Sequence, residues 1–94
     1  MKFVVTQRIL KKLKEKHDVS WEEVEECFLN RQFCFLEDTR LQHKTHPPTL
    51  WFISETDDGR KLKIIFIECE NGDYELKSAY KPNKIEETIY EKNI

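Results

Sequence analysis

A chain of 94 residues with a formal charge of −2 has room for one small domain, spanning residues 1–94. Apolar residues make up 38% of it and charged residues 36%, and eleven aromatic side chains supply large buried areas, so a real core under a highly charged surface is expected and a disordered chain is not. The sequence pI of about 5.9 excludes the uniformly basic field of a protein that grips nucleic acid nonspecifically, and leaves only local clusters around Lys11–Lys16 and around Arg60, Lys61 and Lys63.

In chain order, Phe3, Val4 and Val5 read as a short strand. This apolar run is too short for a signal peptide, and no stretch is apolar enough to cross a membrane. Thr6 caps a first helix whose inner face holds Ile9, Leu10 and Leu13, with His17 continuing that face. Asp18-Val19-Ser20 breaks it and starts a second helix. There Ser20 and Glu23 form a capping box, and Val19 and Val24 occupy the positions of a hydrophobic staple. Trp21, Val24, Cys27 and Phe28 make the buried stripe, and Asn30-Arg31 ends the helix.

Alternation around Phe33 and Phe35 predicts a strand over residues 32–37. A polar stretch follows with His43, Lys44, His46 and the pair Pro47-Pro48, which no regular ladder accepts. Residues 50–56, 61–69 and 74–80 read as strands joined by hairpins at Asp58-Gly59 and Asn71-Gly72. The run Ile64 to Ile67 is apolar on both faces and belongs at the centre of the sheet. Trp51 reads as core. Asn83 and Glu86 repeat the capping box on a last helix with Ile85 and Ile89 as its apolar stripe. The order β-α-α-β-β-β-β-α gives an α+β fold: an antiparallel meander of about four strands with two N-terminal helices and one C-terminal helix.

Several chemistries lack their motifs. The three cysteines, Cys27, Cys34 and Cys69, have no paired spacing, so each reads as a small buried hydrophobe in a reducing cytoplasm. Cys34, His43 and His46 come without CxxC or HExxH spacing, and no metal or other cofactor is expected. No Gly-x-Ser-x-Gly turn is present, and the only glycines, Gly59 and Gly72, sit in hairpins, which leaves no phosphate-cradling loop.

Lys16-His17-Asp18-Val19-Ser20-Trp21-Glu22-Glu23, followed by Phe28, resembles the opening Lys-His-Gly-Val-Ser-Phe-Glu-Glu pattern of the BrnT toxins. Gly59-Arg60 before an apolar strand is similar to that family's next block. Ser78-Ala79, then Lys81, Glu86, Tyr90 and Glu91, resembles its last. The likeness spans residues 16–91 and implies a RelE-like fold. It also implies a cytoplasmic, metal-independent endoribonuclease of a toxin–antitoxin pair, with RNA as substrate and an antitoxin protein as partner. Such a protein forms a homodimer or a toxin–antitoxin hetero-oligomer.

On that resemblance Arg60 and Lys81 stabilise the phosphate, and His17 and Tyr90 transfer protons or position substrate. Each also has a structural reading: Arg60 as a turn residue, Lys81 as solvated chain, His17 as a half-buried histidine between helices, Tyr90 as core. Glu86 is a further matched position, a candidate for substrate binding, and is already accounted for by its cap. Tyr80 stands where the pattern has arginine and offers a ring for base stacking, while Lys44 and His43 offer positive charge from the irregular segment. The competing function is a non-catalytic module that binds a protein or RNA partner.

Overall fold

The computed structural model describes residues 2–39 and 47–94. Strand β1 (Phe3–Val4) leads into helix α1 (Gln7–Lys12), whose last turn winds as a π-helix over Leu13–His17. Helix α2 (Trp21–Asn30) follows, then β2 (Leu36–Glu37), β3 (Thr49–Glu55), β4 (Lys61–Glu68), β5 (Tyr74–Tyr80) and α3 (Lys84–Asn93). The expected element order is present. The sheet differs from the expected four-stranded antiparallel meander: it has five strands in the order β1-β5-β4-β3-β2, and β1 runs parallel to β5. The apolar residues Phe3 and Val4 pair with Tyr74 and Glu75 and close that edge, which makes the sheet mixed.

Helices α1 and α2 cover one face. Leu62, Ile64 and Phe66 of β4 are fully buried there with Phe52 of β3, Leu13, Val24 and Cys27. The ring of Phe28 meets Phe52 at 4.9 Å and Phe66 at 5.3 Å, so α2 locks onto the middle of the sheet through edge-to-face contacts. Both capping boxes form as the sequence predicts, Ser20 with Glu23 and Asn83 with Glu86. The hairpin glycines take positive φ, 84° at Gly59 and 90° at Gly72, which a Cβ would strain.

Helix α3 covers only part of the opposite face, and not in the expected orientation. Its Ile85 and Ile89 are 70% and 46% exposed, while Glu86, Glu87 and Tyr90 turn inward. Two lysines on the sheet decide this: Lys61 bonds Glu87 at 3.2 Å and Lys63 bonds Glu86 at 2.6 Å. Ile65 and Ile67 are accordingly only half-buried, so the centre strand is not covered on both sides along its length. Among the cysteines Cys27 is buried, but Cys34 is exposed and Cys69 half-buried. Burial, reinforced by Glu23 and Glu26, pushes the Cys27 thiol up to about 12, so it packs as an inert hydrophobe.

Strand β2 is two residues long where six are expected. In the register that pairs Leu36 with Trp51, Cys34 would face Ile53 next. The Tyr90 hydroxyl occupies that rung instead. It donates to the Cys34 carbonyl at 2.8 Å and bonds the main chain of Ile53. Farther along, the Glu55 carbonyl accepts from Asn30 Nδ2 at 2.9 Å. The ladder is continued by side chains. Tyr90→Phe is expected to leave the Ile53 and Cys34 main-chain groups without this partner and to cost about 1–3 kcal/mol in urea unfolding, whereas an unchanged midpoint would show the bridge to be dispensable.

Candidate functional site

Four of the residues singled out from sequence meet at the end of β5, beyond the short stretch where β1 covers its edge. The rings of His17 and Tyr80 lie 5.5 Å apart at an interplanar angle of 36°. His17 comes from the π turn in the helical layer, and Tyr80 pairs with Lys63 in the sheet. The Tyr80 hydroxyl donates to Glu86 Oε2 at 2.9 Å, which ties the ring to the start of α3.

Arg60 joins the same region from the β3–β4 hairpin. Its guanidinium donates to the carbonyls of His17 at 3.0 Å and Asp18 at 2.6 Å, and to both carboxylate oxygens of Glu23. A planar fork suits this task, since it satisfies the end of one helix and the capping acid of the next together. Arg60 is thereby a clamp on the α1–α2 junction that fixes where His17 stands. Lys81 follows Tyr80 and is exposed, as is Lys16 before His17.

Tyr90 lies away from this group. It is 4% exposed, its hydroxyl bridges the β2–β3 rung, and its ring packs on Trp51 at 5.5 Å. Burial pushes the Tyr90 phenol above its ordinary range. His43 and Lys44 lie outside the described residues. Among the described residues no group of His, Cys, Asp and Glu is arranged to hold a metal ion. No helix among them is long and apolar enough to cross a membrane.

Sequence reasoning placed Lys63 in a local basic cluster and missed its burial against Glu86. It is 6% exposed, with its ammonium 2.6 Å from Glu86 Oε2 and 4.5 Å from the centroid of the Trp51 ring. The signal was present: Lys61 and Lys63 alternate with Leu62 and Ile64, so both lysines point at whatever covers the second face. A buried lysine there requires an acid opposite, and Glu86 provides it.

These contacts set the behaviour of two carboxylates. For Glu86, burial acts to raise the pKa, but hydrogen bonds from Lys63, the Asn83 main chain and Tyr80, with the Lys63 charge, outweigh it and hold the group below 4.5. For Glu23, burial is likewise outweighed by the Ser20 main chain, Arg60 and the Ser20 hydroxyl. A carboxylate depressed in the folded state stabilises the fold above its unfolded pKa and loses that contribution as pH falls through the folded value. Stability is therefore expected to be flat down to about pH 5 and to fall below 4.5. Glu86→Gln should flatten that fall in urea titrations at several pH values; an equally steep fall would assign it to other acids.

No protein-family model and no curated protein matches the chain.

Proposed function

We propose that the chain is a metal-independent endoribonuclease of the RelE/BrnT toxin type, acting on RNA and restrained by a protein antitoxin. The observation that carries this reading is convergence. Residues 16–23, Gly59-Arg60 and residues 78–91 are far apart in sequence, yet they meet through Arg60 on His17, Asp18 and Glu23, and through Tyr80 on His17 and Glu86.

A second observation supports the likeness itself. Asp18 stands where the BrnT pattern has glycine, and it is the one non-glycine residue with positive φ among the described residues, at φ 53° and ψ 48°. That left-handed conformation suits glycine. Asp18→Gly is expected to raise stability by up to about 1 kcal/mol in thermal unfolding, and a loss of that size would mean the aspartate side chain has a role of its own.

In the chemistry, the RNA 2′-hydroxyl attacks the adjacent phosphate and the bond to the 5′-oxygen breaks. A 2′,3′-cyclic phosphate and a 5′-hydroxyl result. His17 takes the proton from the attacking hydroxyl, water supplies a proton to the leaving 5′-oxygen, Lys81 faces the charge growing on the phosphate, and Arg60 acts by holding His17 in place. The test is cleavage of single-stranded RNA in EDTA by the unmodified chain and by an Arg60→Ala, Lys81→Ala variant. Cyclic-phosphate ends formed only by the unmodified chain support the reading. No cleavage of RNA, free or ribosome-bound, overturns it.

One observation favours a non-catalytic module instead: Arg60 and Lys63 are both neutralised, by Glu23 and Glu86. On that reading the cluster is structural, and expression of the chain leaves growth unaffected.

A further inference from the structure

On the far side of α3 from the His17–Tyr80 pair lies a cleft of about 660 Å³ between the end of α2, the outer edge of β3 and α3. It exists because β2 stops short and Tyr90 takes its place, so the outer edge of β3 beyond Trp51, opposite β4, has no strand beside it among the described residues. Its lining combines two unlike features. Phe33 and Ile94 are 49% and 43% exposed, and Ile53 is half-buried, so the floor offers apolar surface to solvent. Glu55, Asp57 and Glu91 stand around it. Asp57 accepts from Asn30, an uncharged partner, and Glu55 and Glu91 have no cationic partner among the described residues. The lysine at the cleft, Lys61, is already engaged by Glu87 at 3.2 Å.

We infer that this cleft is a docking groove for a cationic segment of a partner protein, one that seats an apolar side chain on Phe33, Ile53 and Ile94 and places lysine or arginine against Glu55, Asp57 and Glu91. The charge complementarity fixes the class of occupant. A nucleic acid strand would bring phosphates against the carboxylates of Glu55, Asp57 and Glu91, and an acidic peptide would do the same. A wholly polar cation would leave the apolar floor wet. The main chain of β3 contributes little, because Tyr90 and Asn30 already hold the rungs at Ile53 and Glu55, so the partner is gripped by side chains and not as an added strand. The groove does not depend on RNA cleavage. A chain that fails to cleave RNA can still bind here, and the reverse.

The test is fluorescence anisotropy with a labelled short peptide alternating lysine and leucine, and with the same peptide carrying glutamate for lysine. The lysine peptide is expected to bind saturably and the glutamate peptide not at all. A Glu55→Lys, Glu91→Lys chain should bind the lysine peptide about tenfold more weakly, as two rim ion pairs are removed. A Glu22→Lys, Glu25→Lys chain carries the same change of net charge on the exposed side of α2 and should bind as the unmodified chain does. Absence of saturable binding, or equal weakening in both variants, would overturn the proposal. So would a concentration-dependent dimer in sedimentation that the Glu55→Lys, Glu91→Lys chain loses, since that assigns the groove to a second copy.

Discussion

Replacing Glu86 with alanine is expected to destabilise the fold by about 3 kcal/mol, the largest single effect in the molecule outside its apolar core. The substitution removes little apolar contact. What it leaves is Lys63, with 7% side-chain exposure, facing the Trp51 ring without its carboxylate. It also removes the acceptor of the Tyr80 hydroxyl and half of the Asn83 capping box. An isolated buried ammonium costs far more than the net worth of the pair, because desolvation is no longer offset. The pairing is therefore best read from a cycle. Glu86→Ala alone should lower the urea midpoint strongly, and adding Lys63→Met should restore most of the loss. If the double variant were as unstable as the single one, the damage would lie in the cap or in α3 docking and not in the orphaned charge.

The second large effect is on chemistry. On the proposed reading, His17→Ala is expected to lower RNA cleavage by about 10²- to 10⁴-fold, the range seen when a positioned acid–base group is removed. Its effect on folding should be small, since the imidazole is half-buried at the π turn and the Arg60 bonds run to the His17 and Asp18 carbonyls, which alanine keeps. Arg60→Ala should behave differently. It frees the helix junction, lowers stability and weakens cleavage by displacing His17. Cleavage by His17→Ala at an unchanged rate would remove the imidazole from the mechanism while leaving the fold argument intact.

Much of this fold was legible because its signals are local. Ser20 with Glu23 and Asn83 with Glu86 mark helix starts by short-range hydrogen bonds. Asp58-Gly59 and Asn71-Gly72 mark turns for the same reason, since glycine at positive φ is required there. The misreadings of the sheet and of α3 involve pairing between distant segments. Alternation in residues 32–37 carries the pattern of a strand, and only the arrival of Tyr90 from α3 shortens it. The parallel β1–β5 pairing joins residues 3–4 to residues 74–75, and nothing near Phe3 announces it. Ile85 and Ile89 have helical spacing, but Lys61 and Lys63 pull the acidic side of α3 onto the sheet and leave the isoleucines outside.

The site follows the same division. His17, Arg60, Tyr80 and Glu86 were singled out from three separate blocks and do come together, whereas Tyr90, chosen from the same block as Tyr80 and Glu86, is committed to the β3 edge. Lys63 was read only as part of a local basic cluster, because a lysine in a strand reads as solvated until its cover is known. Its burial explains why Tyr80 sits where it does: Glu86, held by Lys63, accepts from the Tyr80 hydroxyl and keeps that ring beside His17.

The most direct measurement is a backbone and side-chain NMR titration of the full chain with a 2′-O-methyl RNA oligonucleotide, which binds as substrate but lacks the attacking hydroxyl. The account expects shifts concentrated at His17, Tyr80 and Lys81, with the cleft around Phe33 and Glu55 unmoved. Shifts centred on that cleft, or no shifts at the end of β5 at any RNA concentration, would contradict it.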